Sequence, residues 1–457
     1  MLIDTHCHLD FEDFDPDRGE VIARAEKAGI GYIINVGSSI EGTTRSLELA
    51  KEYDIIYSSV GIHPHDAKTA TDQVISSFEK LADNKKVVAV GEVGLDYYRN
   101  LSPKNEQINT FKKFIVLAKK LGLPLIVHSR DAGSETLDIL KSESGGGAKG
   151  AMHCFSGNYT LLKRCLELGL FISFTCNLTF KNAKPLQALA KEVPVERLLL
   201  ETDAPFLAPE GFRGKRNEPA HITYLVEELA RLKSLSAEDI GRITTRNAAA
   251  LFGLPVADEG KGKAAYPIRD SLYLNITNRC TDNCEFCVRN FTDFVKGHNL
   301  RLAGEPAVED ILRELKAADK YKEVVFCGYG EPTLRLDVIK AVAGELKKRA
   351  IPTRLVTNGH GDLINGRPIA GELKGLVDKV SVSLHVDSKE KYNKICRPSF
   401  GPDTYDAVLK FAKDCAANGI ATEATCLDLP ETDIEKCRAI ARDIGATFRE
   451  RKYGAAG

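Results

Sequence analysis

The sequence has almost no net charge of either sign. Among its 457 residues, 63 Lys and Arg stand against 64 Asp and Glu. That balance excludes a polyanion-binding surface spread over the whole chain, although a local basic rim is compatible with it. No apolar run approaches the roughly 18–20 residues that a membrane-spanning helix needs. Met1 leads almost at once into the strand-like Leu2-Ile3-Asp4, with no basic or apolar leader region, so no signal peptide and a cytoplasmic location are expected. No short-period repeat or low-complexity tract occurs, and no aromatic–basic stripe is long enough to mark a nucleic-acid track. Twelve cysteines are present, and in such a chain they read as thiols and ligands rather than disulfides.

What is present is an ordinary globular composition, 43% hydrophobic and 28% charged, in a chain too long for one core. Short apolar runs alternate with longer amphipathic ones. Strands are expected over 1–5, 32–36, 55–60, 87–90, 124–127, 151–153, 170–174 and 198–201. Between them lie helical patterns such as Pro103–Leu121, where Phe111, Phe114, Ile115 and Ala118 recur at i, i+3, i+4 and i+7. Eight strands with intervening helices in about 250 residues predict a TIM-type (β/α)8 barrel over 1–253. The Gly/Lys-rich stretch 254–270 is expected to be a linker. Six further strands, over 271–277, 323–327, 353–357, 379–384, 422–426 and 447–452, predict a partial (β/α)6 barrel in 271–457.

Each half carries its own chemistry. In the first, six of the ten histidines fall at ends of expected strands: His6, His8, His63, His65, His128 and His153. Glu92 and Asp203 join them at the same ends, where barrel enzymes build their sites. His6 and His8 are two apart in a strand and so share a face. Neutral imidazoles and hard carboxylates suit Zn, Mn or Mg. A carboxylate shared between two ions about 3.5–4 Å apart would suit displacement at phosphorus. In the second half, Cys280, Cys284 and Cys287 have the spacing C-x-x-x-C-x-x-C. Soft thiolates suit an iron–sulfur cluster or zinc. Structural zinc normally shows two close ligand pairs, and the second C-x-x-C is missing, leaving Cys327 as the only obvious fourth ligand. Three thiolates leave one iron of a four-iron cluster open. Cys396, next to Arg397, reads as a buried cysteine or, less readily, a reactive thiol.

Two resemblances follow from ordered motifs. Over 1–253 the motifs are Asp4-Thr-His-Cys-His-Leu-Asp10, Gly61-Ile-His-Pro-His65, Gly91-Glu-Val-Gly-Leu-Asp-Tyr97, His128-Ser-Arg-Asp131, His153-Cys-Phe-Ser-Gly157, Glu201-Thr-Asp-Ala-Pro205 and Arg213-Gly-Lys-Arg-Asn-Glu-Pro219. Together they resemble the TatD-family metal-dependent DNases. The resemblance implies one metal on His6, His8, Glu92 and Asp203, and a second on Glu92, His128 and His153. It also implies Asp203 as the base on the attacking water, with Glu92 between the ions. His63, Arg130 and Arg213 become the expected phosphate contacts. The implied reaction is hydrolysis of DNA phosphodiesters from a 3′ end. A nucleotide, an aminoacyl ester on tRNA or a small ester or amide fits the same residues.

From about 268 onward the cysteine motif, with Cys327-Gly-Tyr-Gly-Glu-Pro-Thr333, resembles the radical S-adenosylmethionine (SAM) superfamily. The resemblance implies a [4Fe-4S] cluster on Cys280, Cys284 and Cys287. It implies SAM contacts from Phe286, Gly328, Gly330 and Glu331, and from Asn358 and Ser383 at the ends of the third and fourth strands. Gly328 and Gly330 would let the backbone approach the methionyl amino group. Reductive cleavage of SAM would then give a 5′-deoxyadenosyl radical, with an electron donor such as flavodoxin or ferredoxin. The order of the two halves resembles TatD-linked radical SAM proteins. The other expectation is an iron–sulfur sensor or regulatory module in the second half.

Overall fold

The computed structural model describes residues 1–256, 261–430 and 432–451. The chain forms two compact units, Met1–Ala257 and Asp258–Gly457.

The first unit contains β1 (Leu2–Cys7), β2 (Ile30–Asn35), β3 (Ile56–Val60), β4 (Val87–Asp96), β5 (Leu125–Arg130), β6 (Gly150–Met152), β7 (Phe171–Phe174) and β8 (Leu198–Leu200). All neighbouring pairs are parallel, in sequence order from β1 to β8. The seam between first and last strands closes just beyond β8. Asp203 N donates to His6 O (2.9 Å), and His8 N donates to Ala204 O (2.8 Å). The barrel's closure therefore runs through the backbone of three candidate site residues.

The helix Lys104–Leu121 turns Phe111, Phe114, Ile115 and Ala118 into the core and ends at Gly122, whose φ of 69° favours glycine. Each buried Phe contributes about 1.5–3 kcal/mol relative to an exposed one. Strand β4 runs on to Asp96, six residues past the expected end at Val90, and is buried throughout. Gly94 makes that possible: a Cβ there would lie 1.9 Å from His128 O on β5.

The second unit holds β9 (Ala265–Ile268), β10 (Ser271–Leu274), the short hairpin β11 (Phe294–Val295) and β12 (His298–Asn299), then β13 (Glu323–Phe326), β14 (Thr353–Thr357), β15 (Lys379–His385), β16 (Ala421–Leu427) and β17 (Thr447–Arg451). Its main sheet has the order β17-β16-β15-β14-β13-β10-β9. The six expected strands are parallel, and helices alternate with most of them. Two differences arise. The segment expected as linker contains β9, which pairs antiparallel with β10. The β11–β12 hairpin is inserted after the cysteine loop. Residue 452, the expected end of the last strand, lies outside the described residues.

Candidate metal centre and cysteine loop

The alternation of β1 sends Asp4, His6 and His8 to one face, and all three are buried. His6 Nε2 and His8 Nε2 stand 3.1 Å apart. Asp203 Oδ1 lies 3.7 Å from each of them. Glu92, from β4, has its two oxygens in different company. Oε2 is 3.5 Å from His6 Nε2 and 3.9 Å from His8 Nε2. Oε1 is 2.6 Å from His128 Nδ1, 3.5 Å from His153 Nε2 and 3.6 Å from His63 Nε2. Five imidazoles and two carboxylates thus converge at the C-terminal end of the barrel, with Glu92 among them. His63 belongs inside this set: its donor atom and those of Glu92 and His128 lie within 4.8 Å of one another. The sequence placed it among the strand-end histidines, and the family resemblance implied it as a phosphate contact. Pro64 follows it and opens a short 3-10 helix that His63 caps, its Nδ1 accepting from His65 N at 3.2 Å.

A second layer orients the imidazoles. His8 Nδ1 meets Val36 O at 3.1 Å. His153 Nδ1 is 2.9 Å from Glu201 Oε1, which also accepts from Cys154 N at 2.6 Å. His128 Nε2 is 3.3 Å from Asp96 Oδ2, and the same oxygen takes His65 Nε2 at 2.9 Å. Asp4 accepts from the Thr202 hydroxyl (2.5 Å) and backbone N (3.0 Å), bracing the turn before Asp203. Such outer partners fix ring orientation and tautomer at metal sites. The sequence reading missed Asp4, Asp96 and Glu201 as contributors, although all lie inside quoted motifs. Only Asp4 has a signal, its spacing: it stands two residues before His6 on the same face of β1.

Electrostatics suit cations. Burial opposes charge on Glu92, but the surrounding histidines, His63 and His153 foremost, hold its carboxyl well below the usual range. Burial pushes His63 down to about 3. Burial also acts to lower His153, yet the carboxylates of Glu201 and Glu92 carry it up to about 10. Asp203 sits at φ 56°, a left-handed conformation that aspartate tolerates better than most residues. A cavity of about 630 Å³ opens over the set and is also lined by Arg130, whose guanidinium stacks 3.9 Å above the Tyr98 ring. Arg213 lies outside it, on an adjoining cavity.

In the second unit Cys280, Cys284 and Cys287 follow β10 on one loop, all as free thiols. Asn283 N donates to Cys396 O (2.9 Å) and Glu285 N to Ile395 O (3.0 Å), tying the loop to the helix Lys389–Cys396. Arg289 Nε donates to Cys287 Sγ at 3.2 Å. Asn358 reaches the same loop, with Nδ2 3.0 Å from both Thr281 Oγ1 and Asp282 Oδ2. Phe286 packs on His385 with ring centroids 4.8 Å apart. Ser383 is buried on β15.

The glycine-rich turn and Cys396 have their own surroundings in the chain. Glu331 is 2% exposed and accepts from Thr333 N and Oγ1, Thr357 Oγ1 and Asn358 N, all at 2.6–2.9 Å. Three of these bonds go to Oε1 and one, from Asn358 N, to Oε2, so Glu331 braces the turn after β13 against the end of β14. A Cβ on Gly328 would lie 2.3 Å from Asn275 Oδ1, and one on Gly330 2.1 Å from Arg279 O. The close approach these glycines permit is to the chain itself. Cys396 is fully buried, and its thiol, with Cys284 and His385, forms a group of donor atoms within 4.8 Å of one another.

The model for TatD-related DNases matches residues 3–253, more than half of the chain. The chain belongs to the TatD-related DNase family. The radical SAM superfamily model matches residues 274–444, so this TatD-family chain carries a radical SAM domain as well. The uncharacterized metal-dependent hydrolase YabD of Bacillus subtilis is 45% identical over 252 residues, 55% of this chain and 99% of YabD. The 3′-5′ ssDNA/RNA exonuclease TatD of Pectobacterium parmentieri is 34% identical over 261 residues, 55% of this chain and all of that protein. The crystal structure of the Escherichia coli K12 TatD homologue YjjV matches with TM-score 0.53 at 32% identity, covering 56% of this chain and 98% of YjjV. The chain is an enzyme with a metal-dependent hydrolase domain and a radical SAM domain, and the families imply divalent metals, an iron–sulfur cluster and SAM. No helix among the described residues is long and apolar enough to cross a membrane.

Proposed function

We propose that the first unit hydrolyses phosphodiester bonds of single-stranded nucleic acid from the 3′ end, using two divalent ions (Zn, Mn or Mg). The observation that carries this is the divided carboxylate of Glu92, with one oxygen toward His6 and His8 and the other toward His128 and His153. In this reading His6, His8, Glu92 and Asp203 hold one ion, and Glu92, His128 and His153, with His63 alongside, hold the other. Bound ions there lower the pKa of water and neutralise charge developing at phosphorus. Asp203, which lines the metal cavity, takes the proton of the attacking water. Arg130 lines the cavity with its guanidinium carbon 3.9 Å from the Tyr98 ring centroid and is a phosphate contact in this reading. The nucleic-acid assignment draws on the printed activity of the Pectobacterium TatD. The test is stepwise shortening of a 5′-labelled single strand by the metal-loaded chain. Shortening that starts at the 3′ end supports the reading; an unaltered strand alongside rapid hydrolysis of small carboxylic esters overturns it.

In the second unit we infer a four-iron cluster on Cys280, Cys284 and Cys287, reduced by a flavodoxin or ferredoxin, with SAM beside Phe286, Asn358 and Ser383. The cluster and SAM supply one-electron chemistry when bound. The chain holds the cysteine loop through Ile395, Cys396 and Asn358, and the Arg289 donor to Cys287 stabilises added electron density on that sulfur. Formation of 5′-deoxyadenosine by reduced protein tests this. A full cluster that leaves SAM intact points instead to a sensor.

A further inference from the structure

A second cavity, about 470 Å³, shares Phe206 and Leu207 with the metal cavity. The two therefore meet at one aromatic ring. Phe206 is 51% exposed, unusual for so large an apolar side chain, and its ring lies 6.4 Å from that of His8. A stacked strand rises about 3.4 Å per nucleotide, so this ring is one to two nucleotides from the metal-facing imidazoles.

The ring is held in place. Phe206 N donates to Asp203 O at 2.8 Å, which couples it directly to the loop carrying the proposed base. Buried Asn217 donates from Nδ2 to Phe206 O (2.7 Å) and Thr202 O (2.9 Å), and its own N donates to Pro205 O (2.9 Å). Asn217 also ends the cationic segment Arg213-Gly-Lys-Arg216, so ring and cations are tied together. On the cavity's far side the Arg213 guanidinium lies 4.6 Å over the Phe180 ring. Its nearest carboxylate is Glu210 at 3.9 Å, an exposed and weak pairing. Lys215 is exposed on the same wall. Arg216 is different: Asp17 holds it at 2.7 Å.

We propose that this cavity binds the nucleotide next to the one at the metal centre, its base stacked on Phe206 and its phosphate between Arg213 and Lys215. The assignment rests on the phosphodiesterase reading and adds the path of the strand. Base-on-aromatic stacking is tolerant of sequence because every base has a π-face. A guanidinium seated on an aromatic face keeps its planar edge free for phosphate oxygens. Arg213 was expected as a phosphate contact; its place in the second cavity makes that phosphate the one next to the metal centre.

The test compares two substrates on the full, metal-loaded chain. Bis(p-nitrophenyl) phosphate has no second nucleotide, whereas 5′-fluorescein tetrathymidylate does. Phe206→Ala is expected to lower the ratio of kcat/KM for the oligonucleotide to that for the small diester about tenfold, the scale of one lost base stack. Lys215→Ala lowers the same ratio, and Phe206→Tyr restores it. An unchanged ratio in both variants overturns the proposal. If wild-type protein cleaves neither substrate, the phosphodiesterase reading fails separately, and anisotropy of the labelled strand decides the strand path. Weaker binding by Phe206→Ala then supports it, and equal binding overturns it.

Discussion

At the scale of residues, the first site is organised by one bridging carboxylate and a ring of acceptors behind it. Asp96 is the most informative of these, because it touches His128 on the side away from Glu92. Asp96→Asn is expected to weaken metal binding about 10–100-fold, the usual effect of removing an outer partner. Competition with a chromogenic chelator measures it, and unchanged affinity contradicts the role. His153 supplies a proton test. Its folded-state pKa, about 10, is above that of a free imidazole, so its pairing with Glu201 is complete below about pH 6.5 and fades as pH rises through 10. An ion entering at neutral pH must displace that proton. Calorimetry in buffers of different ionisation enthalpy should show proton release, with affinity rising as pH rises. Heats independent of buffer would contradict it. The converging residues were legible in the sequence because each sits at a strand end in one repeating register. Asp96 and Glu201 were not, since a lone acidic residue in a motif gives no sign of whether it faces an ion or a histidine.

At the scale of elements, the strands of both sheets follow from apolar runs separated by amphipathic helices, and their boundaries depended on neighbours. Gly91-Glu-Val-Gly94 looks like a turn in isolation, yet β4 continues through it because β5 packs against Gly94. A side chain there would strike His128 O, and φ at Gly94 is 148°. Gly94→Ala is therefore expected to destabilise the first unit by about 3 kcal/mol and to lower its metal content with it. Thermal unfolding with metal analysis checks this; a variant that melts normally and retains both ions contradicts it. Strand β9 escaped the sequence reading for a different reason. Its register comes wholly from antiparallel pairing with β10, which a Gly- and Lys-rich stretch does not advertise. The glycine-rich turn after β13 was recognised; what the sequence did not show is how closely its glycines meet the chain and that Glu331 ties the turn to the end of β14.

At the scale of the whole molecule, two compact units carry two sets of chemistry that share no residue. Cys284→Ala should lose the visible absorbance of the cluster while hydrolysis continues; full iron content in that variant would contradict the three-cysteine assignment. The central claim is that a two-ion hydrolytic site around Glu92 operates independently of SAM chemistry. The most direct measurement takes anaerobically purified, metal-loaded Glu92→Ala beside the wild type and follows strand shortening and 5′-deoxyadenosine in the same samples. The account predicts that strand shortening is abolished and 5′-deoxyadenosine formation is unchanged. Equal loss of both activities in folded protein, or strand shortening that survives without Glu92, would contradict it.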